Sequence, residues 1–254
     1  MSKKRQRKKQ ERSRRAKPGR ASAGASKRGP DLELLEAATA KAREDAGEFL
    51  RRDDLAARVV QLADGTRELA LRVMRQSPLE GKHECRAGCG FCCHTAITVA
   101  APEAFAMAAY LREHLSQEEL AEVRRRLDEN AALASSMSRQ EYITRLPTCA
   151  LLTADDNCRV HPVRPIACAG FLSTSRSKCE AEYNRVPGRD PVPSDKFAML
   201  AGLAVSNGLM EACKRAKLDG EFYELNHALR RVLDTPDAAD RWARGEDVFS
   251  GCLK

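Results

Sequence analysis

The chain has 254 residues, 43% apolar and only 5% aromatic, with a formal charge of +8 and ten cysteines. No run approaches the roughly 18 to 20 consecutive apolar residues that cross a bilayer, and the N-terminus lacks the apolar stretch of a secretory signal. Those features argue against a membrane-spanning or secreted protein and lead to the expectation of a cytoplasmic one, in which closely spaced cysteines are metal ligands or redox groups before they are disulfides.

The charge is unevenly placed. Residues 1–30 hold 13 Lys and Arg against Glu11 alone, while the remaining 224 residues carry 31 basic and 35 acidic groups. This opening segment has no apolar periodicity and repels itself, so it is expected to be a disordered basic tail. Such an arm can contact nucleic acid nonspecifically through counterion release.

Abundant Ala, Leu, Arg and Glu predict a mainly α fold, a helical domain with short β elements and loops around a cysteine-rich metal site. Four parts are expected: the tail 1–30, an N-terminal helical segment 31–78, a cysteine-cluster domain 79–190, and C-terminal helices 191–254 packing on it. From Asp31 to about Arg75 the pattern is helical in two pieces. Leu55, Val59, Leu62, Thr66, Leu69 and Val73 recur every three or four residues and fall on one face. Gly65 marks a break in that helix or a close contact.

Residues 81–94 form a loop with four cysteines and with Gly88 and Gly90 to let it turn tightly. Residues 96–100 read as a short strand. Pro102 suits the first turn of a helix reaching His114, and Ser116 with Glu119 is a capping box for a helix through Ala134. Residues 147–171 are irregular, because Pro162 and Pro165 exclude a regular helix and Asp155-Asp156-Asn157 reads as a turn between short strands. Helices are then expected over 194–217, striped by Phe197, Leu200, Leu203 and Met210, over 221–233 and over 236–248.

The chemistry concentrates in two cysteine groups. The first reads Cys85-x-x-x-Cys89-x-x-Cys92-Cys93, and thiolates two or three residues apart can close on one ion at roughly 2.3 Å if the chain between them turns. Backbone N–H groups in such a turn can also face the sulfurs and stabilise their charge. Neighbouring side chains point in different directions, so the Cys92-Cys93 pair hints at two metals, a polynuclear cluster, or one ligand beside a spectator. The second group is Cys149, Cys158 and Cys168. Seven thiols exceed the needs of one four-coordinate zinc. Cys179, on an expected helix, could supply an eighth.

Arg86, Arg159 and Arg164 are candidates to offset thiolate charge, Arg164 foremost because it lies between two prolines. His94 and His161 are candidate nitrogen ligands. Cys213 is read as a buried apolar residue and Cys252 as a free thiol near the C-terminus.

These residues resemble the YkgJ-type cysteine-cluster family, a zinc- or iron-chelating domain. The resemblance rests on Cys85, Cys89, Cys92 and Cys93, followed by Cys149, Cys158, Val160, His161, Arg164, Pro165 and Cys168, and covers about residues 81–171. Ala169 stands where the family usually has an Arg after the last cysteine, while Phe171 keeps an aromatic place. The resemblance implies chelation of zinc or iron, with an iron–sulfur cluster among the cofactors it allows. The cluster is also similar to part of the flagellin lysine methylases, which implies an iron–sulfur-dependent enzyme related to protein lysine methylation as an alternative. No GxGxxG follows an expected strand to support a nucleotide site. A nucleic-acid-associated protein using the basic tail is the other alternative.

Overall fold

A computed structural model of the chain describes residues 32–145 and 147–253. The basic segment 1–30, with the nucleic-acid contact expected of it, lies outside the described residues. Two helices open the fold, α1 (Leu32–Phe49) and α2 (Leu55–Met74). All six residues of the expected face of α2 are buried. Gly65 neither breaks that helix nor meets a neighbour, since a Cβ there would find nothing within 4 Å.

After the first cysteine loop come β1 (Thr98–Ala100), α3 (Ala101–His114), α4 (Gln117–Ser135) and α5 (Arg139–Thr144). The Ser116–Glu119 box closes as expected, with the Glu119 N–H reaching the Ser116 hydroxyl at 3.2 Å and the Ser116 N–H the Glu119 carboxylate at 3.0 Å. The second cysteine segment then carries α6 (Ile166–Gly170), followed by α7 (Arg176–Tyr183). The chain finishes with α8 (Lys196–Arg215), β2 (Phe222–Glu224), α9 (Leu225–Asp234) and α10 (Ala238–Ala243). β1 and β2 pair antiparallel with Val99 opposite Tyr223. The architecture is mainly α, as composition predicted, and no described helix is long and apolar enough to cross a membrane.

Two apolar clusters hold these elements. The larger surrounds α3, whose Met107 and Leu111 meet Leu127, Leu229, Trp242 and Phe249. The smaller joins α1, α2, α6 and α8 through Leu35, Val73, Met74, Ile166, Ala201 and Val205. Here the expected stripe of α8 needs correction. Met210 is buried, but Leu200 and Leu203 face outward at 38% and 52% exposure. The buried face is instead Ala198, Ala201, Val205, Gly208 and Ala212. Small side chains let α1 approach so closely that a Cβ on Gly208 would sit 2.4 Å from the Thr39 carbonyl oxygen. A face of Leu at that distance would force the two helices apart.

Two further expectations change. The helix placed over 221–233 gives up its first residues to β2, because the 222–224 backbone is needed to pair with β1. The helix over 236–248 is only α10, followed by the left-handed Gly245 that ends it.

Candidate metal centre

The first motif is built from two tight turns. Cys89 N–H donates to Arg86 O at 3.1 Å with Gly88 at φ +73°, the left-handed third position that a type II turn gives to glycine. Cys93 N–H then donates to Gly90 O at 2.8 Å, winding Phe91–Cys93 into a single 3₁₀ turn.

The second motif forms a narrow loop whose neck is an isolated bridge between Leu152 and Cys158, in place of the expected pair of strands. Thr153 N–H donates to Asn157 O at 2.8 Å, and Asp156 takes φ +56° at the tip. A pair of strands would need more ladder positions than this short loop offers before the prolines intervene.

The loops dock on each other. Gly88 N–H donates to Asn157 Oδ1 at 3.1 Å, and a Cβ on Gly90 would lie 2.9 Å from Asp156 Oδ1 and 3.2 Å from Leu152. The glycines therefore serve close approach as well as turning. Cys149 N–H donates to Cys93 O at 2.8 Å, joining the motifs directly through backbone.

Three residues that the sequence reading passed over position this assembly. Arg126 on α4 donates to the carbonyls of both Cys149 and Leu152, at 2.8 and 2.6 Å. Glu103, buried on α3, accepts from Ala100 N–H at 2.9 Å and from Ile166 N–H at 2.8 Å, holding the start of the helix that carries Cys168. Burial pushes the Glu103 carboxyl above its usual pKa, against the two backbone donors. Ser173 ties down Cys85: its N–H approaches Cys85 Sγ at 3.4 Å, and the Cys85 thiol approaches its carbonyl at 3.8 Å. Of these three, only Glu103 left a signal, an acidic residue three positions after Ala100 at a helix start.

Backbone contacts bring the two cysteine motifs side by side. Cys93 donates to Cys92, whose thiol falls to about 6, helped by its own backbone N–H and the Arg164 charge against the cost of burial. Cys93 itself is pushed strongly upward by that bond, by burial and by the charges of Cys92, Cys149 and Cys158. Burial raises Cys149 to about 11 despite a hydrogen bond from Leu151 N–H. It also raises Cys158, against a bond from Val160 N–H and the Arg164 charge. Cys168 is raised well above its usual value by burial and by Cys149, Cys158 and Cys92. Burial lifts Cys85 too, against Ser173, with Cys92, Cys89 and Cys179 adding to the rise. As placed, no three His, Cys, Asp or Glu side chains among the described residues stand close enough to grip an ion.

Of the three expected arginines, Arg164 is the one whose charge lowers Cys92 and Cys158, while Arg126 does the same for Cys149. Arg159 turns away to Glu119 at 3.2 Å, and Arg86 is exposed. His94 lies beside Thr148 Oγ1 at 3.2 Å and against Tyr183 at 4.4 Å between ring centroids, and burial lowers its pKa. His161 is exposed at the start of a second 3₁₀ turn, its pKa lowered by burial and by Arg164. Cys213 is fully buried in the larger cluster, as expected, and Cys252 is half-buried against that cluster.

In chemistry, though not in present spacing, the thiols suit a thiophilic ion, and Cys85 already accepts a backbone N–H that would stabilise thiolate charge. A family model described as "CxxCxxCC: Putative zinc- or iron-chelating domain" matches residues 84–186. Comparison with curated proteins and with solved structures found no match. The matched residues contain all eight of these cysteines, so the cysteine region is similar to that zinc- or iron-chelating domain.

Proposed function

We propose that the protein holds zinc or iron through both cysteine motifs, with Cys85, Cys89, Cys92, Cys93, Cys149, Cys158, Cys168 and Cys179 as the ligand set. The reading is carried by one observation: the two motifs are joined by the Cys149 N–H to Cys93 O bond, in loops where Cys85 Sγ already accepts the Ser173 N–H at 3.4 Å. A backbone N–H aimed at sulfur has little use for a neutral thiol and much for a metal-bound thiolate. Thiol protons leave when the ion binds, so the raised values of Cys93, Cys149, Cys158 and Cys168 describe the metal-free form. Arg164 offsets part of the remaining negative charge, and Arg126 and Glu103 keep the loops at their spacing.

The ion would supply cross-linking of three separated chain segments, which small loops without strands cannot provide for themselves. Zinc gives a closed tetrahedral thiolate site without colour, whereas an iron–sulfur cluster absorbs visible light and transfers electrons. Neither a methyl-transfer reaction nor nucleic-acid binding is needed to account for the geometry.

Anaerobic purification followed by elemental analysis and an absorption spectrum tests this. Bound zinc or iron in the wild-type protein, lost together with protection of the loops in Cys149→Ser and Cys158→Ser, is the expected outcome. A folded wild-type protein that neither carries nor takes up either metal would end the proposal.

A further inference from the structure

Glu224 is a buried carboxylate outside the site described so far, 6% exposed at the end of β2. One of its oxygens caps α9, accepting from the His227 N–H at 3.0 Å. Capping alone does not call for a buried charge, since Ser, Thr, Asp and Asn serve helix starts without that cost. The other oxygen accepts from Asn226 Nδ2 at 2.6 Å. Asn226 is equally buried, and the same Nδ2 lies 3.3 Å from the Tyr142 hydroxyl. With both N–H groups of Asn226 turned to oxygens, its amide has a fixed sense and its Oδ1 faces the other way. There it accepts from Asn130 Nδ2 on α4 at 3.4 Å.

Asn130 has a second use, because its Nδ2 also donates to the Thr148 carbonyl at 2.9 Å. Thr148 O and Cys149 N–H belong to one planar trans peptide group, so they point in opposite directions and fixing the oxygen aims the N–H. That N–H is the one that donates to Cys93 O at 2.8 Å and joins the two motifs. Arg126, one turn before Asn130 on the same face of α4, holds the next carbonyl, Cys149 O. The contacts therefore run without a gap from the buried carboxylate to the peptide that docks one motif on the other.

We propose that Glu224 is a positioning residue for the join between the two cysteine motifs, acting through Asn226 and Asn130 on the Thr148–Cys149 peptide. Through that join, and resting on the reading of the cysteines as metal ligands, it tunes the affinity of the site. The carboxylate matters because it only accepts. Glutamine in its place keeps an oxygen for His227 but presents an N–H2 group to Asn226, whose amide is then free to turn over. A turned Asn226 sets its own N–H2 against that of Asn130, and the grip on Thr148 O loosens. The buried charge thus selects one sense for every amide in the chain of contacts.

The test is amide hydrogen exchange read by NMR at Cys149 in the full-length protein as purified, with zinc affinity measured alongside. Glu224→Gln should speed exchange at Cys149 about fivefold, the loss of one hydrogen bond, and weaken zinc binding by a similar factor. Leu225 N–H, which donates to Ile97 O at 2.9 Å beside the substitution, should exchange at the wild-type rate. A residue that only capped α9 or supported β2 would move Leu225 and leave Cys149 alone. Asn130→Ala should speed Cys149 exchange at least as much, and Glu224→Gln added to it should do nothing further, because the link is already cut. If Glu224→Gln does not fold, Asn226→Ala, which cuts the same link, takes its place in the cycle. Unchanged Cys149 exchange, an effect that adds in full to that of Asn130→Ala, or a Cys149 amide unprotected in the wild type overturns the proposal. A wild type that takes up no zinc defeats the metal reading alone, since exchange at Cys149 still decides the positioning.

Discussion

The larger apolar cluster and the cysteine region are neighbours held by different forces. Around α3, Trp242, Phe249, Met107 and Leu111 are buried in side-chain contact, and stability there scales with apolar area. The first cysteine loop, residues 81–94, has no residue in either apolar cluster and rests instead on hydrogen bonds to Ser173, Asn157 and Cys149 and, by the proposal above, metal, whereas residues 147–168 put Ala150, Leu151 and Val160 into the larger cluster. A region of the first kind folds by itself; a region of the second kind has few apolar contacts to repay the entropy of ordering its loops.

That contrast can be broken from either side. Trp242→Ala empties a fully buried site and is expected to lower stability by about 3 to 5 kcal/mol in urea denaturation, without changing metal per folded chain. Gly208→Ala drives a methyl into the Thr39 carbonyl and Ala42, and about 1 to 3 kcal/mol should be lost, visible as a lower melting temperature. The substitution would leave chelator release unaltered if the two regions are independent.

Asp195 sharpens the comparison, since it links α8 to the segment entering the first motif. It accepts from Ser77 Oγ at 2.6 Å, His83 Nε2 at 2.8 Å and Ala198 N–H at 3.0 Å. Burial opposes its ionisation, but these donors outweigh it and hold the carboxyl below its usual 3.8. A depressed acid contributes stability that is present above the unfolded-state value and lost as pH falls through the folded one. Asp195→Asn should therefore cost about 1 to 3 kcal/mol at neutral pH, with the difference from wild type shrinking as pH drops below 3.8. A difference that stays constant down the acid limb would contradict that account.

Arg126→Gln acts on the loops alone. Removing the donors to Cys149 O and Leu152 O should weaken zinc affinity by about tenfold, as loss of groups that orient ligands commonly does, while global stability changes by about 1 kcal/mol. The smallest effect is expected of Leu203→Ser on the exposed side of α8, within about 0.5 kcal/mol by thermal melt. A large loss there would mean that the outward face of α8 is covered in solution.

Periodicity revealed α2 and its buried face because the signal repeats over five turns and needs no partner to be read. The same reasoning misplaced the face of α8, where Leu200 and Leu203 outscore the alanines in hydrophobicity but are too large for the approach of α1. Hydrophobic pattern reports what can be buried; the separation of helix axes selects what is. Likewise the cysteine spacing pointed to a metal-binding region and its family, but not to Arg126, Glu103 or Ser173, whose roles depend on contacts 23, 63 and 88 residues away along the chain.

Local chemistry alone determined the mainly helical class, the Ser116 cap, the glycine-permitted turn at Gly88 and the two thiol groups, because each depends on residues within a turn or two of one another. Tertiary structure decided that Gly90 makes room for Asp156, that Cys149 docks on the Cys93 carbonyl, and that Arg159 turns to Glu119. Those outcomes follow from which loop docks against which, a choice made by long-range packing and unmarked in any single stretch of sequence.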